Sequence, residues 1–275
     1  MTTWNLIGRN FTHTTRGHTG KAGTHGKYPK NLRWSFNFEG DVSFYLDQNI
    51  LLKKDERRDL RKFGWVLESE SIKPGTYQSV AKHKDELFEI YEAIFTHNQR
   101  LLNLDDRFKF TVCCGYWVMA EKIYPKNKLI SAISSGKTMC DGHRWRNDFI
   151  EKNLSEFDLF GNKYHHIKVK EDGLADYMFS VTIENGSYSS YFTEKILDCF
   201  ACGTIPIYRG APDIGDFFNT DGIIFIDENF DFKNISEELY YSKMDAIKDN
   251  FNRVLSYSTA EDFIFNTYKY EFSLQ

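Results

Sequence analysis

Cysteine is scarce in this chain and odd in number. The five residues Cys113, Cys114, Cys140, Cys199 and Cys202 show no framework spacing, which excludes a disulfide-built scaffold and points to a reducing compartment. Cys199 and Cys202 are spaced as a metal or redox pair, but they fall in a predicted helix among apolar residues with no second pair, so buried thiols are the expectation. The eight histidines, among them His13, His18, His25, His165 and His166, lack metal-ligand spacing. No apolar run approaches a membrane span and no signal-peptide core opens the chain, so a soluble, cytoplasmic protein with unglycosylated Asn-x-Ser/Thr triplets is expected. Positive charge is not in excess. A formal charge of −4 and a pI near 6.1 argue against a nucleic-acid partner, so any anionic ligand must be held by a few local cations. Dinucleotide and P-loop signatures are missing as well. Ser134-Ser135-Gly136-Lys137 does not supply Gly-x-Gly-x-x-Gly, and around Gly26 the P-loop pattern fails, with Lys21 in the first glycine position and Tyr28 in the Ser/Thr position.

What is present suits a globular α/β protein. The hydrophobic fraction of 41 % over 275 residues suffices for one large core or two smaller ones. With 24 Phe and 16 Tyr, aromatics are abundant; a thick aromatic core explains most of them, and carbohydrate-stacking surfaces would use the same residues. The most informative stretch begins at Tyr177. Residues 177–183 are aromatic and β-branched, as in a buried strand, and a polar loop over 184–190 follows. Thr193 stands where an N-cap belongs, and Ile196, Leu197, Phe200 and Ala201 recur at helical spacing until Gly203. Glu194 and Lys195 therefore occupy a first helical turn, where backbone N–H groups and the helix dipole favour anions and Lys195 adds a formal charge. An ordinary capped helix with a solvated Glu-Lys pair would give the same local pattern. Residues 204–208 read as the next strand, which makes a parallel β-loop-α-β unit.

Organisation along the chain suggests two halves, 1–125 and 126–275. The first predicts strands over 4–7, 41–46, 65–67 and 93–96, and helices over 55–62 and 84–89, with 68–75 as loop; residues 10–30 show no periodicity. The second predicts strands over 129–134, 157–160, 177–183, 204–208 and 223–226, a helix over 144–153 and a long helical pattern over 234–255. Alternating strands and helices imply a doubly wound parallel sheet whose ligands bind at the carboxyl ends of the strands.

These residues carry a resemblance. Glu184-Asn185, the run Tyr191-x-Thr193-Glu194-Lys195, then Ile205-Pro206-Ile207-Tyr208-x-Gly210-x-Pro212 and Asp216-Phe217-Phe218-Asn219, is similar to the donor-binding core of the α-1,3-fucosyltransferase family. Upstream, residues 128–135 resemble that family's first donor-domain strand, Arg146-Asn147-x-Phe149 its Arg-Asn-x-Phe helix start, and Trp65-x-x-Glu68-Ser69 its acceptor-domain Trp-x-x-x-Glu-Ser signature with a shorter gap. The match covers residues 126–230, and the remainder aligns loosely. It implies two Rossmann-like domains in a GT-B arrangement, the C-terminal helix packing back on the first domain, and inverting transfer from GDP-fucose to a saccharide hydroxyl. By the motif, Arg146 and Lys195 would hold the diphosphate, Glu194 would accept hydrogen bonds from ribose or sugar hydroxyls, and Asn185 and Tyr191 would shape the loop around the sugar and phosphate.

The chain contains no Asp-x-Asp triplet, the usual carboxylate pair for a metal-bridged sugar-nucleotide diphosphate, so metal-independent transfer without a cofactor is expected. Glu68 is the leading base, since the Glu-Ser motif falls there. Where some family members place a later carboxylate, this chain has His97 and Asn98, which makes His97 the alternative base. A diphosphate turn serves GDP- and UDP-sugars alike. The sparse similarity of the first half and the missing membrane anchor fit a diverged microbial or viral enzyme, which keeps UDP-xylose or another UDP-sugar open as donor. A non-catalytic nucleotide- or carbohydrate-binding protein is the alternative of another class, though it would be expected to have lost the cation pair or the base.

Overall fold

Three strands, Val42–Leu46, Ala93–Thr96 and Tyr177–Ile183, are buried along their whole length, the mark of parallel sheets covered on both faces. The computed structural model describes residues 2–8, 21–22, 25–26, 28–37, 39–52, 60–161 and 163–273. Two units are distinguished, one of Met1–Gly20, Lys27–Cys114 and Ser258–Gln275, the other of Lys21–Gly26 and Gly115–Tyr257.

In chain order the elements begin with β1 (Thr2–Ile7), the two-residue strands β2 (Lys21–Ala22) and β3 (His25–Gly26), β4 (Leu32–Ser35), β5 (Val42–Leu46) and β6 (Arg61–Val66). There follow α1 (Pro74–Lys82), α2 (Lys84–Leu87), β7 (Ala93–Thr96), α3 (Gln99–Leu102) and β8 (Phe108–Phe110). The first unit's sheet runs β4-β1-β5-β6-β7-β8, every neighbour parallel, while β2 and β3 pair antiparallel. Its core is aromatic: Trp4 stacks on Phe44 at 4.9 Å, Phe44 on Phe63 at 5.3 Å and on Phe95 at 5.7 Å. The aromatic surplus is thus largely consumed by packing, where each ring buries a large apolar area.

The second unit holds β9 (Lys128–Ile133), α4 (Asp141–Lys152), β10 (Asp158–Phe160), β11 (Tyr177–Ile183), α5 (Glu194–Ala201), β12 (Ile205–Arg209), β13 (Ile224–Phe225), α6 (Glu237–Ser242) and α7 (Met244–Val254). Its sheet is parallel throughout in the order β10-β9-β11-β12-β13. Numbered within the sheet this is 2-1-3-4-5, so the strand order reverses between β9 and β11, and the crevice at their carboxyl ends is the topological switch point where such sheets bind ligands. Ile130, Phe179, Val181, Ile183, Ile205 and Ile207 fill one side of the sheet against Ile150 of α4 and Ile247 of α7. The chain ends with α8 (Ala260–Tyr268), grouped with the first unit. Its opening turn is tied to the entry of β4: Asp262 accepts from the Lys30 and Asn31 backbone N–H groups, and Glu261 from the Trp34 indole.

Several expected elements differ. Residues 55–59 of the helix expected over 55–62 lie outside the described residues, and Arg61 and Lys62 belong to β6; the buried Phe63 and Trp65 and two parallel neighbours recruit the charged residues into the strand. The loop expected over 68–75 ends in α1, which Pro74 opens at a position where its missing N–H costs nothing. The long helix over 234–255 is broken at Lys243 into α6 and α7, with Asn234 in a preceding 3₁₀ turn. Most of the aperiodic segment 10–30 lies outside the described residues.

Gly203 ends α5 as predicted. Its φ of +66° lies in the left-handed region, and an added Cβ would stand 2.8 Å from Ile123 Cγ2. Gly203→Ala is expected to destabilise the protein by about 1–2 kcal/mol, from the lost glycine conformation and the contact together, as a lower urea midpoint with an unchanged slope.

Candidate functional site

The carboxyl end of β11 delivers Glu184, which is 1 % exposed. An ionised carboxylate cannot stay buried without partners. Its Oε1 accepts from the Thr193 N–H at 2.8 Å, both oxygens accept from the Thr193 hydroxyl, and Oε2 is 3.1 Å from Lys195 Nζ. Thr193 in turn caps α5, its Oγ1 accepting from the Lys195 N–H at 3.4 Å. Lys195 Nζ also donates to Thr193 Oγ1 at 2.8 Å and lies 3.4 Å from Glu194. Burial alone would lower the Lys195 pKa, but Glu184 and Glu194 outweigh it and raise it, so the ammonium is permanently charged. For Glu194 burial works upward, and Lys195 and Lys170 overcome it, lowering the pKa to about 2. Lys195 is therefore not the bare point charge expected of a first-turn lysine. It is clamped between two carboxylates.

Arg146 supplies what Lys195 alone does not. It lies in the second turn of α4, because that helix starts at Asp141 rather than near 144, and it is 5 % exposed. Its Nε and Nη2 are buried and make no hydrogen bond. Burial lowers its pKa and Glu184 and Glu194 oppose this, so the guanidinium sits in the same electrostatic cluster as Lys195. Unmet buried donors on a charged group are rare and mark a place for a ligand.

The rest of the rim comes from the same loops. Asn185 is half-buried; its carbonyl accepts from Cys140 Sγ at 3.4 Å and lies where a Cβ on Gly142 would be 2.0 Å away. Tyr191, 2 % exposed, packs edge-on against Tyr188 beneath the loop rather than lining its surface. Ser190 holds a left-handed φ of +60°, fastened by its N–H and hydroxyl to Asp213 at 2.7 and 3.0 Å. Two residues of this cluster were given no role from the sequence. Glu184 stood in the segment that carries the resemblance but was given no role, reading as the start of a polar loop, although a carboxylate directly after a strand of aromatic and β-branched residues was the available signal. His143, 3 % exposed and three residues before Arg146, had no signal beyond that spacing.

Below Lys195, Asp198 is 1 % exposed and faces a cavity of about 20 Å³ lined also by Lys170, Thr182 and Cys199. Its Oδ1 accepts from the Val118 N–H at 3.1 Å and from that of Trp117, and Oδ2 is 3.5 Å from Lys170 Nζ. Burial pushes its pKa up to about 7 against the pull of Lys170. Cys199 and Cys202 are free, buried thiols pushed up by burial, as the expectation of buried thiols had it.

In the first unit, Glu68 is half-buried just beyond β6, and its backbone is held at both ends. Asp47 Oδ1 accepts its N–H at 3.1 Å and that of Leu67 at 2.9 Å, and Tyr77 Oη donates to its carbonyl at 2.6 Å. Tyr77 Oη lies 3.2 Å from His97 Nε2; since the tyrosine proton goes to Glu68, His97 Nε2–H is the donor in that contact. His97 is 2 % exposed, and burial lowers its pKa to about 4. It stands as a buried neutral imidazole bracing the strand end beside Asn98, which caps α3 and donates to Glu70. Each unit is thus built locally, Glu68 with His97 in one and Arg146, Asn185, Glu194 and Lys195 in the other. Among the described residues no group of three or more His, Cys, Asp or Glu side chains is placed to share a metal ion, and no helix is long and apolar enough to cross a membrane.

The buried Asp198 yields a pH test. Its folded pKa lies above the ordinary carboxylate value, so its contribution is complete below about pH 4 and is lost as pH rises through about 7. Asp198→Asn keeps an oxygen for the Trp117 and Val118 N–H groups. The difference in unfolding free energy between wild type and this variant should therefore shift in the variant's favour from pH 4 to pH 8, as read by denaturant titrations across that range.

The chain is similar to known proteins in sequence and fold. The model of glycosyltransferase family 10 (fucosyltransferase), C-terminal part, matches residues 123–267. An α-(1,3)-fucosyltransferase of Helicobacter pylori is 37 % identical over 79 residues, 29 % of this chain and 16 % of that protein. An α-(1,3)-fucosyltransferase B of Drosophila melanogaster is 36 % identical over 78 residues, 28 % of this chain and 16 % of that protein. The aligned part of the chain thus spans about a sixth of the length of each of these relatives. A crystal structure of an α1,3-fucosyltransferase superposes with a TM-score of 0.51 at 15 % identity, covering 92 % of this chain and 80 % of that one, and TarM superposes with 0.51 at 10 %, covering 85 % and 54 %. Two parallel sheets flanked by helices, of GT-B type, are thus the fold of the chain, and with the family match over residues 123–267 the chain belongs to glycosyltransferase family 10.

Proposed function

We propose that the chain is an inverting, metal-independent glycosyltransferase that moves fucose from GDP-fucose to a saccharide hydroxyl. The observation that carries this reading is Arg146, whose two unmet buried donors sit beside Lys195 at the switch point of the second sheet. The α1,3-fucosyltransferase that superposes with a TM-score of 0.51 in a structure with GDP supports the guanine nucleotide.

In this reading the second unit binds the donor and the first unit binds the acceptor. Arg146 and Lys195 neutralise the diphosphate, so no carboxylate-held metal is required. Glu194, ionised beside Lys195, accepts from ribose or sugar hydroxyls, while Asn185 and Tyr191 hold the surrounding loop. Glu68 takes the acceptor hydroxyl proton as that oxygen bonds to the anomeric carbon. The bond from carbon to the diphosphate oxygen breaks on the opposite face, and the diphosphate leaves with the electron pair against Arg146 and Lys195. The base is assigned to Glu68 over His97 because the imidazole is buried, donates to Tyr77, and is too weakly basic at a pKa of about 4.

GDP is expected to raise the melting temperature in the presence of EDTA, and UDP to do so far less. Arg146→Ala should weaken GDP binding by ten- to a hundredfold, the usual cost of a lost charge-assisted contact. A shift with UDP alone would move the donor to a UDP-sugar, and activity that vanishes in EDTA and returns with Mn²⁺ would overturn the metal-free mechanism. Glu68→Gln should lower kcat at least about a hundredfold with GDP affinity nearly unchanged; near-normal turnover would return the base to His97.

A further inference from the structure

Just beyond β6, the two residues Leu67 and Glu68 have every backbone polar group taken by a side chain. The pairing of β5 with β6 ends at Leu46 and Trp65, and that of β6 with β7 at Val66 and Thr96. Past that point Asp47 Oδ1 accepts the Leu67 N–H at 2.9 Å and the Glu68 N–H at 3.1 Å. Cys113 Sγ donates to the Leu67 carbonyl at 3.2 Å, and Tyr77 Oη to the Glu68 carbonyl at 2.6 Å. The dipeptide is thus held by side chains from beyond β5, from α1 and from beyond β8, not by a sheet or a helix of its own. Asp47 carries two costs in doing this. It is 1 % exposed, which takes its carboxylate out of water, and its φ of +48° lies in the left-handed region that strains a residue with a Cβ. Neither cost is required by β5, whose five residues are buried and paired before Asp47 is reached.

From this geometry we infer that Asp47 is a positioning residue for Glu68: its buried carboxylate fixes the backbone that carries the half-buried Glu68 side chain, so that Glu68 meets the acceptor hydroxyl in one orientation. The inference rests on the assignment of Glu68 as the base given above. Two consecutive N–H groups on one oxygen set both the place and the tilt of the peptide between Leu67 and Glu68, where a single hydrogen bond would leave it free to rotate. Tyr77 closes the other side. It is fully buried, and burial pushes its pKa up, so it stays protonated and keeps donating to the Glu68 carbonyl. A base works only when held close to its productive geometry by supporting groups, and backbone strain persists where the surrounding contacts enforce it. At Asp47 the strained residue and the supporting group are one.

Substitutions at position 47 separate the strain from the hold. Asp47→Asn keeps an oxygen for both N–H groups and tolerates the left-handed backbone; Asp47→Gly adopts that backbone freely but offers no acceptor; Asp47→Ala loses both. The probe is GDP-fucose on the full chain with water as the acceptor, read as GDP released. Glu68 takes a water proton as the water oxygen bonds to the anomeric carbon, and GDP leaves with the electron pair of the broken bond. Asp47→Asn should keep kcat within about fivefold of wild type. Asp47→Gly should lose about ten- to a hundredfold in kcat, with KM for GDP-fucose within about twofold and a melting temperature above that of Asp47→Ala. The double variant D47G/E68Q should be no slower than E68Q, because Asp47 acts through Glu68. Wild-type kcat in D47G, equal losses in D47N and D47G, or losses that multiply in the double variant would overturn the inference. Amide hydrogen exchange supplies a readout that needs no ligand: in D47G the Leu67 and Glu68 amides should exchange at least about tenfold faster than in wild type, while those of Phe63 to Val66 keep their protection. Unchanged exchange at 67 and 68 would overturn it as well. If wild type releases no GDP, or E68Q releases it at the wild-type rate, the base reading fails, and exchange at residues 67 and 68 alone then decides whether Asp47 holds this segment.

Discussion

The buried carboxylate of Glu184 is the interaction on which the second unit's site depends. Taking it out of water is costly unless its oxygens are fully occupied, and the neighbouring chain is arranged to occupy them: the Thr193 N–H and hydroxyl, and the Lys195 ammonium. One charge therefore ends β11, caps α5 and fixes the lysine. Because Lys195 is shared with Glu194 as well, its charge is largely balanced within the protein. The unspent capacity for an anion rests with Arg146, on the other side of the switch point.

Close packing converts that chemistry into geometry. At Gly142 there is no room for even one methyl group beside the Asn185 carbonyl, so α4 meets the loop after β11 backbone to backbone. A side chain there would push Arg146 away from Lys195. The first unit uses a comparable device around Glu68, whose backbone is pinned by Asp47 and Tyr77 while its carboxylate stays half-buried. In both units the candidate side chains stand beyond strand ends, on loops or in the opening turns of helices, and buried polar contacts help to hold those segments.

Legibility followed the range of the forces involved. The strand over 177–183, the Thr193 cap, the stop at Gly203 and the strand over 93–96 could all be read from residues close in sequence, since propensity, capping and a left-handed glycine act locally. Arg61 and Lys62 could not, because a charged pair enters a strand only when neighbours on both sides bury the residues that follow. The break at Lys243 was hidden for a similar reason: the helical period continues across it, and the turn there is set by what α6 and α7 each pack against. The carboxylate of Glu184 had no local meaning as the first residue of a polar loop, since it takes its role from a partner eleven residues away, Lys195.

By itself the sequence determined the α/β class and the anion-favouring first turn of α5 with Lys195, because hydrophobic period, caps and residue chemistry are written locally, while Arg146 became a candidate through the family resemblance. Only the tertiary structure decided that the strand order reverses between β9 and β11, that Lys195 is clamped by two carboxylates, that Arg146 keeps two donors unmet, and that His97 is buried under Tyr77. Those outcomes depend on which distant groups are brought together out of water, where burial makes each unpaired charge or donor costly and so fixes its partner.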